Sequence, residues 1–342
     1  MVFEKIILNE ERNVTFSAFV QPVGGEFANI KERPAVLILP GGGYQVCSDR
    51  EAEIVAFAYL AVGYQAFVLR YSVKDDAKWP NPLNDYEQAM DLIKQNAEKW
   101  HVSKDRIAVV GFSAGGHLAA CAATIARNRP AAVILGYPAI KKDVVDMCRT
   151  DLPYPAEYVG DTTCPCFIFA ARDDNTVHIS NALVFAQALS DHDVSFEMHL
   201  YSFGGHGFST AVPALGLGAH TARLGDWVKD SIGWLEEAWG KFTQNGFSKP
   251  LFSRAVNGNH ENVFSVDCTV GYLKGHYDLI KDAAGKYIDQ IDQVLLGNFN
   301  QYTRTYLGSL FKLGDLMMML RISGEEISAL DCKLRKIKNV RS

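Results

Sequence analysis

Short apolar runs alternate with segments of helical periodicity along the first two-thirds of the chain. Residues 3–8 and 14–20 read as strands, the second through alternation of Val14, Phe16, Ala18 and Val20. Residues 34–39 (PAVLIL) form an unbroken apolar run ending in Pro-Gly-Gly-Gly, the pattern of a buried strand feeding a loop. Ser48-Asp49-Arg50-Glu51 has capping-box spacing and predicts a helix extending to residue 62. A strand over 65–71 follows, then a loop over 72–83 with Trp79 and two prolines, and a helix over 84–100. The same reasoning gives strands over 106–110, 131–135, 166–171 and 195–201, and helices over 114–126, 180–189 and 226–239. Residues 138–163 read as irregular, being rich in Pro, Asp and Tyr. Strands alternating with helices require crossover connections, so the pattern predicts an α/β fold with a mostly parallel central sheet and helices on both faces. In such sheets ligands bind beyond the carboxyl ends of the strands.

The pattern changes after Gln244. NGFSKP reads as a linker, which divides the chain into a domain over residues 1–244 and a mainly helical extension over 245–342. Leu273, Tyr277, Ile280, Ala284, Ile288, Ile291, Leu295, Tyr302 and Tyr306 fall at helical steps, an apolar stripe that must bury against something. Gly285, Gly297 and Gly308 are expected to divide it into two or three helices. The stripe and Met317-Met318-Met319 make internal packing or a homo-oligomer the expectation for this segment.

Composition narrows the function classes. With 342 residues, 48% hydrophobic, and a net charge of −5, the chain has ordinary globular composition and no electrostatic reason to bind nucleic acid. The basic run Lys333, Arg335, Lys336, Lys338 and Arg341 reads as a solvated helix end. The seven cysteines, at 47, 121, 148, 164, 166, 268 and 332, show no metal-ligand spacing, and Cys121 and Cys166 lie in apolar runs. No secretory h-region opens the sequence and no apolar run approaches the ~18 residues of a membrane span, so a cytoplasmic protein without a membrane partner is expected.

The candidate chemistry starts at VVGFSAGGHL. Gly111 and Gly115 flank Ser113 at the turn from a strand into a helix, the layout of a nucleophile elbow. A serine hydroxyl needs a base to take its proton and an acid to orient that base. The strand ending in CFIFAA is followed by Asp173-Asp174, and the next strand by Gly204-Gly205-His206-Gly207, in the required order of serine, acid, histidine. Either aspartate could serve, and either could cap the following helix. His117, in the helix after the elbow, reads as structural, while His178, His192, His199 and His220 lack the glycine-flanked loop position. The Gly41-Gly42-Gly43 loop fails both phosphate-binding glycine spacings. Its amides, with that of Ala114 at the helix start, suit a developing oxyanion instead. Tyr44, Trp79, Tyr154 and Tyr158 are candidates for contacts with a substrate ring.

PGGGY, REAEIVAFAYLAVGYQAFVLRYSV, DRIAVVGFSAGGHLAA, DDNTV and GGHGF together resemble the acetyl esterase/lipase branch of the α/β-hydrolase superfamily, and more narrowly the small bacterial esterases that deacetylate xylan-type sugars. The likeness covers residues 15–240. It implies an α/β-hydrolase fold with Ser113 as nucleophile, His206 as general base and Asp174 as orienting acid. It also implies Gly42, Gly43 and Ala114 as the oxyanion hole. Pro40 stands where the related His-Gly-Gly-Gly lipases carry histidine, which weakens a lipid-ester reading. The expected activity is a serine esterase acting on a small-molecule ester, releasing a short acyl group such as acetate without metal or organic cofactor. An amide-cleaving hydrolase (a peptidase or arylformamidase) would use the same triad, and a ligand-binding module could keep the fold without catalysis.

Overall fold

The computed structural model describes residues 1–212, 214, 222–252 and 255–339; His220 and Arg341 lie outside them. The chain divides into two compact units, Met1–Arg254 and Ala255–Ser342.

The first unit is built on an eight-stranded sheet: β1 (Val2–Asn9), β2 (Val14–Val20), β3 (Arg33–Leu39), β4 (Gln65–Arg70), β5 (Val102–Phe112), β6 (Ala132–Gly136), β7 (Cys166–Ala171) and β8 (Phe196–Tyr201). The spatial order is β1-β2-β4-β3-β5-β6-β7-β8. β1 and β2 form an antiparallel hairpin and β2 runs antiparallel to β4. From β4 to β8 every pairing is parallel. The helices are α1 (Glu53–Leu60), α2 (Asn81–Gln95), α3 (Ser113–Thr124), α4 (Lys142–Cys148), α5 (Ser180–Asp191) and α6 (Asp226–Trp239). Every residue of β3, β6 and β7 is buried. Successive strand side chains point to opposite faces, so both faces are covered there, and unbroken apolar runs such as PAVLIL are what such strands require. β1, at the edge, is instead mostly exposed or half-buried.

Three local expectations change. The Ser48–Glu51 capping box does not form: the Ser48 side chain makes no cap, and Glu51 turns inward to other partners. Residues 138–163 contain α4, whose seven residues bury only Val144 and Val145. A helix of two turns gives too little apolar periodicity to be read from sequence. α2 starts at Asn81, earlier than expected, because Pro82 sits in the first turn, where its missing N–H costs nothing.

The boundary also moves. NGFSKP begins at the tip of a small hairpin, β9 (Phe242–Thr243) with β10 (Gly246–Phe247), and is not a linker. The Arg106 guanidinium lies 3.9 Å from the Phe247 ring centroid, Leu251 N–H donates to the Glu237 carbonyl at 2.7 Å, and Phe252 packs on Trp234. These contacts keep the segment with the first unit.

The second unit holds α7 (Val270–Gly275), α8 (Tyr277–Val294), α9 (Gln301–Leu310), α10 (Leu313–Met319) and α11 (Gly324–Leu334) around Phe264, Leu273, Ile280, Ile288, Ile291 and Met317. The stripe from Leu273 to Tyr306 is divided among three helices, α7, α8 and α9, as expected, and Gly297 lies between two of them. The other two glycines act differently from expectation. Gly285 lies inside α8, where a Cβ would come within 3.1 Å of the Tyr277 hydroxyl; Gly308 lets α9 approach Gly271 of α7. Both are close-packing positions, not breaks. Tyr302 and Tyr306, assigned to the buried stripe, are exposed. Among the described residues no helix is long and apolar enough to cross a membrane, and no cluster of His, Cys, Asp and Glu is arranged to hold a metal.

Candidate active site

Ser113 follows β5 directly and opens α3 with φ +51°, a left-handed conformation that a side-chain-bearing residue adopts only under constraint. The flanking glycines supply that constraint. A Cβ on Gly111 would lie 2.3 Å from the Gly115 carbonyl oxygen, and one on Gly115 would lie 2.1 Å from that of Leu39. Strand, serine and helix can meet this tightly only if both positions lack side chains, which is the physical content of G-x-S-x-G.

The loops after β7 and β8 bring the other two groups to the same end of the sheet. His206 Nε2 lies 2.9 Å from Ser113 Oγ, and His206 Nδ1 lies 2.7 Å from Asp174 Oδ2. Asp174 is 1% exposed, and its Oδ1 accepts the N–H groups of Thr176 and Val177 at 2.9 and 2.8 Å. It therefore closes the turn before α5 and holds the histidine with its second oxygen. Asp173 does something else: its Oδ1 accepts the Gly205 N–H at 2.9 Å, tying the histidine loop to the aspartate loop. The two aspartates, open alternatives in the sequence, divide the work between them. Since Asp174 Oδ2 is an acceptor, the Nδ1 proton stays there, and Nε2 is left to accept from Ser113.

The loop after β3 faces Ser113. Gly42 has φ +130°, and a Cβ there would meet the Val46 carbonyl oxygen at 2.2 Å, so only glycine fits. The Gly41 N–H donates to Glu51 Oε2 at 2.8 Å, whereas those of Gly42 and Gly43 have no acceptor among the described residues. A cavity of about 540 Å³ opens over Ser113 and His206. Gln45, Ser48 and Arg50 line one part of it, and Ala139, Val144 and Val177, which form their own small apolar cluster, line another.

The four aromatic candidates do not line this cavity. Tyr44 is fully buried and hydrogen-bonds His117 Nδ1 at 2.7 Å. Trp79 packs edge-on against His117, the Tyr154 hydroxyl is held by Asp146 and Lys142, and Tyr158 is exposed elsewhere. Aromatic residues in loops more often pack than bind, and these sit on the core or outside the cavity. Sequence reading missed Glu51, which lines this cavity, and Tyr137, which is hydrogen-bonded to Glu51. Burial raises the Glu51 pKa, partly offset by hydrogen bonds from Tyr137 and Gly41. A glutamate inside an apolar helix start was the available signal, and capping-box spacing masked it.

Two family models match this unit. The family described as BD-FAE matches residues 27–131, which include the glycine loop and Ser113, and the prolyl oligopeptidase family matches residues 154–242, which include Asp174 and His206. An α/β hydrolase enzyme from a Medee basin deep-sea metagenome library is 42% identical with TM-score 0.64, over 69% of this chain and 97% of that one. The chain belongs to the α/β-hydrolase superfamily. Within it, the chain is similar to proteins named as esterases, an acetylxylan esterase among them. It is 31% identical over 210 residues to endo-1,4-beta-xylanase B of Butyrivibrio fibrisolvens, covering 53% of this chain and 33% of that protein. It is 25% identical over 217 residues to an acetylxylan esterase of Xylanibacter ruminicola, covering 57% of this chain and 45% of that one. The hydrolase thus spans less than half the length of these two curated relatives. The acetyl ester-xyloside bifunctional hydrolase of Caldicellulosiruptor lactoaceticus is 28% identical with TM-score 0.58, over 66% of this chain and 88% of that one.

Proposed function

We propose that this hydrolase is a cytoplasmic serine esterase that removes short acyl groups, acetate foremost, from a carbohydrate alcohol. The observation that carries the chemistry is the continuous Ser113–His206–Asp174 chain opening into a cavity beside two amides that have no acceptor among the described residues. Ser113 Oγ attacks the acyl carbonyl carbon while its proton passes to His206 Nε2. The carbonyl oxygen, now negative, takes hydrogen bonds from the N–H groups of Gly42, Gly43 and Ala114. Collapse breaks the bond to the alcohol oxygen, which leaves with the proton from His206. Water then repeats the sequence on acyl-Ser113 and releases the acid. Asp174 stabilises the imidazolium in both halves. The sugar half of the proposal is supported by the relatives named for xylanase and acetylxylan esterase activity and by Gln45, Ser48 and Arg50, which offer hydrogen bonds to hydroxyl groups. Free thiols at all seven cysteines suit a reducing compartment.

Stopped-flow hydrolysis of 4-nitrophenyl acetate tests the chemistry. A burst equal to the enzyme concentration, abolished in Ser113→Ala with turnover reduced about 10⁶-fold, is expected. Acetate release from acetylated xylo-oligosaccharides tests the alcohol. The match to the prolyl oligopeptidase family favours one second reading, amide cleavage by the same residues. Turnover of 4-nitroanilides above that of matched esters would establish it in place of the esterase.

A further inference from the structure

Glu51 stands between the two loops that carry the site, and the acyl-transfer scheme makes no use of it. It is 4% exposed, and burying a carboxylate is costly unless its oxygens are hydrogen-bonded. Both are. Oε2 accepts the Gly41 N–H at 2.8 Å, and Oε1 accepts the Tyr137 hydroxyl at 2.6 Å. That hydroxyl in turn accepts the Ser209 N–H at 3.0 Å, and the Tyr137 ring lies edge-on to His206 with centroids 4.9 Å apart. Tyr137 is itself held at φ +36°, an unfavourable conformation for a tyrosine. On the other side Gly41 is wedged in place: a Cβ there would lie 2.6 Å from Glu51 Oε2 and 3.0 Å from Ser113 Cβ. Ser209 is anchored again by donating its hydroxyl to the Arg50 carbonyl and accepting Trp227 Nε1–H at 2.8 Å.

One carboxyl group therefore touches the glycine loop directly and the histidine loop through one tyrosine. We propose that Glu51, acting with Tyr137, is a positioning residue that holds the oxyanion donors and His206 in register around Ser113. Neither residue touches the reacting atoms. Their effect is to keep two loops from separate strands on a common reference, because a slip of about 1 Å between donors and base costs about 10²-fold in rate. The proposal rests on the serine-hydrolase reading only for what is being positioned.

The test compares Glu51→Ala, Glu51→Gln and Tyr137→Phe with the wild type in two assays. One is 4-nitrophenyl acetate kinetics. The other is the rate at which a fluorophosphonate probe labels Ser113, which needs an activated serine and oxyanion donors but no natural substrate. Glu51→Ala is expected to lower kcat and the labelling rate together by about 100-fold while leaving KM almost unchanged. Glu51→Gln, whose amide oxygen can still accept the Gly41 N–H, should recover about 10-fold of that loss, and Tyr137→Phe should cost about 10-fold. A role in stability alone would lower Tm yet leave the folded protein labelling at the wild-type rate, and that result overturns the proposal. If Glu51→Ala fails to fold, wild-type kcat and labelling in both Glu51→Gln and Tyr137→Phe overturn it equally. A wild type that labels at Ser113 but hydrolyses no ester would remove the esterase reading, and the labelling rates alone would then decide the positioning role.

Discussion

His206 and His117 lie in two regions of the first unit, and each has both ring nitrogens engaged. His206 sits between the Asp174 carboxylate and the Ser113 hydroxyl, at 2.7 and 2.9 Å, at the edge of a cavity. His117 sits between the Tyr44 hydroxyl and the Pro153 carbonyl, at 2.7 and 2.8 Å, and is 1% exposed. A carbonyl only accepts, so Nε2 of His117 carries the proton and Nδ1 accepts from Tyr44. A second proton there would displace the tyrosine and charge an apolar interior, and burial accordingly lowers the His117 pKa to about 4. At His206 the added proton is balanced by Asp174, and the ring can pass it to a reacting group. Two rings with equally complete hydrogen bonding thus differ in what the second proton meets, a carboxylate in one case and an unpaired interior in the other.

The largest effect that would sharpen this contrast is Asp174→Asn. Its Oδ1 can keep the turn bonds to Thr176 and Val177, but an amide N–H₂ facing His206 forces the other tautomer, so kcat for an ester should fall about 10⁴-fold without loss of fold. Unchanged turnover would break the assignment of Asp174.

Acid should expose the difference from the other side. The His117 pKa moves from 6.5 in the unfolded chain to about 4 when folded, so between these values the unfolded state binds the extra proton. This contribution is intact above pH 6.5 and is lost as pH falls towards 4, amounting to about 3 kcal/mol. Urea unfolding at pH 7 and pH 4.5 should show the wild type losing more stability than His117→Gln. Parallel losses would mean that His117 is not the neutral ring described here.

Asp173→Ala removes one hydrogen bond to the histidine loop, at Gly205. A bond to a charged group of this kind contributes about 1.5–3 kcal/mol. Because Asp173 is exposed, the expected cost is a fall of about 10-fold in kcat with KM nearly unchanged. The smallest effect is expected at Tyr158, which is exposed away from the cavity: Tyr158→Ala should change stability by less than about 0.5 kcal/mol and leave kcat/KM for acetylated xylo-oligosaccharides unaltered. A large rise in KM would return Tyr158 to the substrate.

Much of this is legible in the amino-acid sequence. The strand over 166–171 and the helix over 226–239 have the bounds read from the sequence, the first because every residue is buried, the second because Trp227, Ser231, Trp234, Leu235 and Trp239 mark one buried face. The order of Ser113, Asp174 and His206, each after a strand, was enough to bring them to one end of a parallel sheet. What escaped was of two kinds. α4 is too short for its periodicity to stand out, although Val144 and Met147 line the cavity. Gly285 and Gly308 looked like interruptions because a sequence shows that a side chain is missing, not whether a neighbouring helix fills the space.

The linear chain by itself determined the fold class and the candidate serine, acid and histidine that the fold brings together. Hydrophobic periodicity and glycine placement act over a few residues, and a serine, an acid and a histidine can be recognised from what surrounds each. Only the tertiary structure decided which aspartate reaches His206, that Tyr44 belongs to the core, and that Glu51 faces Gly41 and Tyr137. Those outcomes depend on contacts between residues 10 to 86 positions apart, where differences of a few ångströms separate a cap, a core residue and a strut, and no local pattern records such distances.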